Sequence, residues 1–200
     1  MQKEYSDLTF TDDFMFCKIL TANPKLCQEL LELILDIKIK KIVYTESQKT
    51  IDETYDGKGI RLDVYVNDEA GTVYDLEMQT TMQKDLPKRT RYYQGMIDLN
   101  LIEKGEKYNA LKKSYIIFIC LSDPFGKNLP IYSFRNICIQ DSSVELGDDS
   151  HKIIINAAGS REGLSEEMKD FLVFLQKKGA KSSLTKELQQ AVGDAIMHKN

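Results

Sequence analysis

Two segments decide the fold: Ile60-Arg61-Leu62-Asp63-Val64-Tyr65-Val66 and Val73-Tyr74-Asp75-Leu76-Glu77-Met78-Gln79, joined by Asn67-Asp68-Glu69-Ala70-Gly71-Thr72. Apolar and polar residues alternate with period two, which predicts a pair of strands closed into a hairpin. Ile60, Leu62, Val64 and Val66 are expected on one face, with Tyr74, Leu76 and Met78 matching them. A loop centred near Ala70 then pairs Val66 with Tyr74, Val64 with Leu76 and Leu62 with Met78. The same register sets Asp63 across from Glu77 and Arg61 across from Gln79. Like charges directly opposed destabilise a hairpin by a few tenths to about 1 kcal/mol. A divalent cation between the two carboxylates is the simplest way to offset that.

The rest of the chain narrows the chemistry. Two hundred residues, 42% hydrophobic and 29% charged, suit one globular domain with a helical appendage. No apolar run reaches transmembrane length, and Met1-Gln2-Lys3-Glu4-Tyr5 lacks the features of a signal peptide, so a cytoplasmic location is expected. Cys17, Cys27, Cys120 and Cys138 have no CxxC spacing and read as small hydrophobes in a reducing compartment, rather than as zinc ligands or disulfides. His151 and His198 are too few and too isolated for a histidine metal site. There is no nucleophile motif and no glycine-rich phosphate loop, which leaves carboxylate chemistry as the lead. A net charge of −4 argues against a surface that coats nucleic acid all over, but not against a local basic groove. The densest basic cluster, Lys84, Lys88, Arg89 and Arg91, begins five residues after Gln79.

Outward from the hairpin, residues 10–20 predict a short helix capped by Thr11 or Asp12. Asn23-Pro24 starts a second helix with a broad leucine stripe. A strand is expected over 37–45, and Asp56-Gly57-Lys58-Gly59 marks a turn. After the hairpin, a helix from Pro87 to about Lys104 should end at Gly105. Ser114 to Leu121 has the composition of a strand buried on both faces. Further strands are expected over 131–139 and 152–155, and helices over 165–178 and 184–197. Domain bounds follow at 1–160 for an α/β domain and 161–200 for a helical extension. The last helix reaches Asn200 without a stop signal, as expected of a chain that continues. The order helix, strand, strand, strand, helix, strand gives a mixed sheet with helices on both sides.

At this point the residues resemble a known group. An αβββαβ core, Asp63 in the second strand and Glu77-Met78-Gln79 in the third are similar to the PD-(D/E)XK nuclease superfamily. More narrowly, the pattern resembles its recombination-promoting nuclease/putative transposase branch. Arg89-Thr90-Arg91-Tyr92-Tyr93, Lys104-Gly105-Glu106-Lys107-Tyr108 and Thr11-Asp12-Asp13-Phe14-Met15-Phe16 carry that narrower likeness, over roughly residues 8 to 125. The resemblance implies a restriction-endonuclease-like core and a metal-dependent DNA endonuclease linked to recombination or mobile elements. It implies Mg²⁺, or Mn²⁺, on Asp63 and Glu77. Gln79 stands where the superfamily usually has lysine, and its implied role is to orient the attacking water.

In this reading Lys88, Arg89 and Arg91 contact the DNA backbone. DNA is the expected partner, no membrane is involved, and a homodimer is a possible assembly. Asp75 shares the acidic face and could serve as a third ligand, but its register puts it nearer the turn. Glu29 and Glu32 could reach a metal from the early helix, although solvent-facing roles are simpler. Asp12 and Asp13 read as capping residues, and Tyr92 and Tyr93 as core before site lining. The bland alternative leaves Asp63 and Glu77 on a solvated sheet face with Arg61 and Lys58 as ionic partners. A second functional class, a nuclease-like module that binds DNA or protein without cutting, stays open because the lysine is missing.

Overall fold

A computed structural model describes residues 3–51 and 58–198. The elements are α1 (Asp13–Ala22), α2 (Pro24–Leu35), β1 (Ile42–Ile51), β2 (Ile60–Asp68), β3 (Val73–Gln79), α3 (Leu86–Leu101), β4 (Ser114–Cys120), β5 (Ile131–Phe134), β6 (Ser150–Asn156), α4 (Glu166–Leu175) and α5 (Ser183–Met197). This is the expected αβββαβ core followed by helices. The six strands form one mixed sheet in the order β1-β2-β3-β4-β6-β5. β1, β2 and β3 run antiparallel, β4 is parallel to both β3 and β6, and β5 is antiparallel to β6. A parallel β3–β4 pair needs a crossover, and α3 supplies it. Ile116, Ile117, Phe118 and Ile119 of β4 are all buried, because helices cover both faces of the sheet.

Two cores result. One packs α1, α2, α4 and α5 on the sheet through Phe16, Leu30, Leu31, Leu76, Phe171 and Leu188. The other lies under α3 and holds Leu62, Ile97, Ile116 and Phe118. The helices near the C-terminus start at true caps: Ser165 Oγ accepts the Met168 N–H and Ser182 Oγ accepts the Thr185 N–H.

The hairpin register is as expected at Val64–Leu76, Tyr65–Asp75, Val66–Tyr74 and Asn67–Val73. It stops there. Leu62 and Met78, and Arg61 and Gln79, are not ladder partners. Nor do the four aliphatics of β2 serve one core: Val64 and Val66 join the α1/α2 side, whereas Ile60 and Leu62 join the α3 side. The change falls at Asp63. In the neighbouring strand Gln48 is left-handed (φ 52°) and lies between the Ser47–Val64 and Lys49–Leu62 pairs. A left-handed residue breaks the pleat of an extended strand, so the ribbon changes layers at that point.

Other boundaries moved for local reasons. β1 begins at Ile42 rather than 37, because α2 captures the preceding segment. Gln28 donates to the Ile39 carbonyl and accepts from the Ile42 N–H, and Glu32 accepts from the Ile39 N–H. The alternation of Ile37 and Ile39 thus reflects packing on a helix, not a sheet. α3 ends at Leu101 with Ile102 extended, and Gly105 (φ 94°) sits in the following turn rather than capping the helix. β5 stops at Phe134, and only the Ile137–Glu145 bridge continues the pairing. Asp56 and Gly57 of the expected turn lie outside the described residues.

One glycine is required by space. A Cβ on Gly159 would lie 2.6 Å from the Leu129 carbonyl oxygen and 2.7 Å from the Pro130 Cα. These are backbone atoms at the entry to β5 and cannot swing away. Gly159→Ala is expected to cost about 2 kcal/mol, the usual scale of overpacking. For a chain of this size that is a fall in Tm of roughly 4–8 °C by thermal melting.

Candidate active site

Where the β2–β3 ladder ends, side chains take over from the backbone. The Asp63 N–H donates to Glu77 Oε1 at 2.9 Å, and the Met78 N–H donates to Asp63 Oδ2 at 3.0 Å. Each carboxylate thus satisfies a main-chain donor that the parting strands would leave orphaned. The structure brings Asp63 and Glu77 together as the register required. It does not leave them on a solvated face: Glu77 is 2% exposed. Its ionic partner is Arg89, at 3.7 Å, not Arg61 or Lys58.

Asp75 is the larger surprise. It is fully buried on the same side of β3 as Glu77, and neither of its oxygens has a donor. The neighbour it meets is Glu77, itself a carboxylate. Burial and the charge of Asp63 hold the Asp75 carboxyl well above the ordinary range, against the opposing pull of Glu77 and Arg89. Burial and the charges of Asp75 and Asp63 do the same to Glu77, against the pull of the Asp63 N–H and Arg89. Asp63, less enclosed, is raised to about 6 by burial and by Asp13, with the Met78 N–H opposing. Three desolvated carboxyl groups, with Arg89 acting on Asp75 and Glu77 and Arg61 on Asp63, are a poor arrangement for ionised side chains alone. They are a good oxygen-donor set for a hard divalent cation. The residues therefore fit the group that the sequence resemblance implies.

Gln79 closes the row on β3. Its Nε2 donates to the Met78 carbonyl and its Oε1 accepts from Arg89 Nη1 at 3.0 Å. Arg89 also donates to Gln83 Oε1 and to the Tyr93 hydroxyl, and its guanidinium lies 5.3 Å from the Phe118 ring centre. Expected as a DNA contact, Arg89 instead points inward and delivers positive charge to the acidic cluster. Lys88 and Arg91, from the same turn of α3, are exposed. Tyr93 is half-buried against Phe118 and belongs to both core and site. Tyr92 is exposed and donates its hydroxyl to the Lys58 carbonyl.

Residues from α1 reach the site from the other layer. Cys17 Sγ lies 3.3 Å from the Asp63 carbonyl oxygen and 3.8 Å from Asp13 Oδ1. Asp13, Cys17 and Asp63 each offer a donor atom within 4.8 Å of the others. Asp13 was expected to cap a helix; it lies in the first turn of α1 and meets Asp63 instead. Asp12 occupies the N-cap position, but its side chain reaches back to the N–H and hydroxyl of Thr9. Its other partner is Lys3. Glu29 pairs with Lys25, while Glu32 holds Lys38 and the Ile39 N–H, so neither serves the site. The signal that could have found Asp13 was the i, i+4 spacing to Cys17 inside a segment already singled out.

No helix among the described residues is long and apolar enough to cross a membrane. No curated protein and no solved structure matches the chain. A family model does: that of the PD-(D/E)XK nuclease family transposases, over residues 10–191. The match runs through α1, the split hairpin, α3 and the helices near the C-terminus, and so spans both cores and every acidic residue described above. On that ground the chain belongs to the PD-(D/E)XK nuclease family transposases, whose fold carries a nuclease-like function.

Proposed function

We propose that the protein hydrolyses phosphodiester bonds of DNA as a metal-dependent endonuclease, with Asp63, Glu77 and Gln79 at its centre. The observation that carries this reading is the fully buried Asp75 carboxylate, which has no donor and lies beside Glu77 and Asp63. Asp63, Asp75 and Glu77 would hold Mg²⁺ or Mn²⁺ through oxygen atoms. When bound, such an ion polarises the phosphodiester and makes its water a nucleophile at neutral pH.

The protein's own groups do the rest. The backbone N–H groups of Asp63 and Met78 fix the two carboxylates in place. Arg89 holds the Gln79 amide, so Gln79 is pre-set to orient water by hydrogen bonding and has no proton to exchange. Arg89 also supplies positive charge where the superfamily usually carries lysine on β3. Exposed Lys88 and Arg91 face solvent beside the site and suit contact with the phosphate backbone.

The test is nicking of supercoiled plasmid in Mg²⁺ or Mn²⁺, with chelator and Asp63→Ala controls. Cleavage that needs the metal and is absent in the variant supports the reading. DNA binding without cleavage at every metal concentration would replace it with the binding-module alternative. Arg89→Lys offers a separate check. A lysine cannot reproduce contacts to Gln79, Gln83 and Tyr93 together. We expect it to cut at least about tenfold more slowly, as loss of an outer partner of a metal site does.

A further inference from the structure

We infer that two copies of the chain pair about a twofold axis at the β5 edge of the sheet, each inserting Ile139 into an apolar pocket of the other. The inference stands apart from the nuclease reading. The acidic centre lies over β2 and β3 and the pocket over β5 and β6, with β4 between them and α3 above it.

Residues 135–149 leave β5 and return to β6 as a projecting arm. Its limbs are tied by the Cys138 N–H on the Val144 carbonyl, the Leu146 N–H on the Asn136 carbonyl and an Arg135–Glu145 ion pair. None of its residues joins either core. Its aliphatic side chains point outward instead: Ile139 is 92% exposed and Leu146 70%, with Ile137 and Val144 also exposed. Single exposed aliphatics are ordinary, but four on one short arm outside the core form a surface that calls for cover. A two-stranded ribbon without a core is marginal in water on its own.

The matching hole lies at the same edge. Leu86 and Pro87 of α3, Phe125, Phe134 of β5 and Ile154 of β6 line a pocket of about 190 Å³. An apolar cavity of about 150 Å³ accepts a benzene-sized group, so an isoleucine side chain has room. The chain's own Ile139 stands in solvent and does not fill it.

Charge identifies the occupant as a second copy. The arm carries one arginine against Asp141, Glu145, Asp148 and Asp149, a net charge of −3. Asp141 and Asp148 are hydrogen-bonded only to uncharged groups, on Ser143, Asn136 and Ser150. The pocket has the opposite sign: Lys152 lines it, and Lys127 follows Phe125 by two residues. Neither lysine forms an ion pair among the described residues. An acidic arm with an apolar tip and an apolar pocket with a basic mouth thus occur on one chain. That self-complementarity is what an isologous pair requires. Because both features sit at one sheet edge, a single twofold axis satisfies both contacts and the assembly closes at two.

The test is sedimentation equilibrium of the whole protein over a dilution series, as wild type, Ile139→Asp, Phe134→Asp and Val43→Asp. Val43 is an exposed residue of β1, the opposite edge of the sheet, and serves as the control. Wild type should show twice the chain mass of 23.0 kDa at high concentration and dissociate on dilution. Ile139→Asp and Phe134→Asp should each weaken the pairing at least about tenfold, the scale of one lost buried apolar side chain. Val43→Asp should leave it unchanged. Circular dichroism checks the fold of each variant, and Ile139, outside both cores, decides the matter even if Phe134→Asp unfolds. A monomer at every concentration, or pairing that Ile139→Asp leaves intact, overturns the inference. So does pairing lost in Val43→Asp, which would move the interface to β1. Masses that climb beyond the dimer also overturn it, since knobs and holes joined in an open chain are not a closed pair.

Discussion

Glu77→Gln is expected to abolish metal-dependent cleavage and at the same time to stabilise the metal-free protein. The two effects share one cause. Glu77 is 2% exposed and sits beside Asp75 and Asp63, so its ionised form is disfavoured by burial and by two like charges. A glutamine of the same shape removes that charge and can still accept the Asp63 N–H through its amide oxygen. It cannot supply anionic charge to a cation. Loss of metal-assisted stabilisation is worth several kcal/mol in the transition state, which at 1.36 kcal/mol per decade is about a thousandfold or more in rate. The structural alternative predicts the opposite pairing. If Glu77 served only to pair Arg89, its neutralisation would lower Tm, because one buried partner would lose its counter-charge. Melting curves and plasmid-nicking rates on the same preparations separate the two. A fall in Tm with cleavage retained would remove Glu77 from the site.

That pairing of effects also explains which parts of the site were legible beforehand. Alternation over β2 and β3 fixed the partners of Val64 and Val66, and through them brought Asp63 near Glu77. Turn and strand composition carry that information locally. The depth of Glu77 and Asp75 is not local. It depends on α3 crossing over one face of the sheet, and an acidic residue on a strand looks the same in sequence whether water or a helix covers it. The layer change at Asp63 was also hidden, since it rests on the left-handed backbone of Gln48, a residue with no glycine-like signature. Basic residues misled for a related reason. Lys88, Arg89 and Arg91 form one cluster in sequence, yet helical periodicity turns Arg89 inward onto Gln79 and leaves its neighbours exposed. Asp13 and Cys17 were separated from Asp63 by some fifty positions, and only tertiary packing joins them.

Asp63 gives the clearest pH signature. Its folded pKa is raised from 3.8 to about 6, chiefly by burial. A raised carboxyl pKa means that the folded state holds the proton more tightly than the unfolded state, so stability falls as pH rises through this interval. The contribution is fully present below pH 3.8, is lost between about pH 4 and 6, and stays absent above. At 1.36 kcal/mol per pKa unit the loss is up to about 3 kcal/mol. Asp12, Asp123 and Asp170, whose pKa values are lowered by hydrogen bonds, run the other way at lower pH. The comparison is therefore between wild type and Asp63→Asn, which removes this ionisation and its push on Asp75 and Glu77. Without metal, the two should melt alike at pH 4, and Asp63→Asn should melt roughly 6–12 °C higher at pH 7. A divalent cation binds the ionised carboxylates and restores stability in proportion to its excess over Kd, about 2.7 kcal/mol at a hundredfold excess. Mg²⁺ or Mn²⁺ at pH 7 should then raise the wild-type Tm by several degrees and leave Asp63→Asn nearly unchanged. At pH 4, where Asp63 is protonated, the same ions should do little to either protein. A metal-induced rise in Tm of equal size in both proteins, or one that persists at pH 4, would place the cation elsewhere than on Asp63.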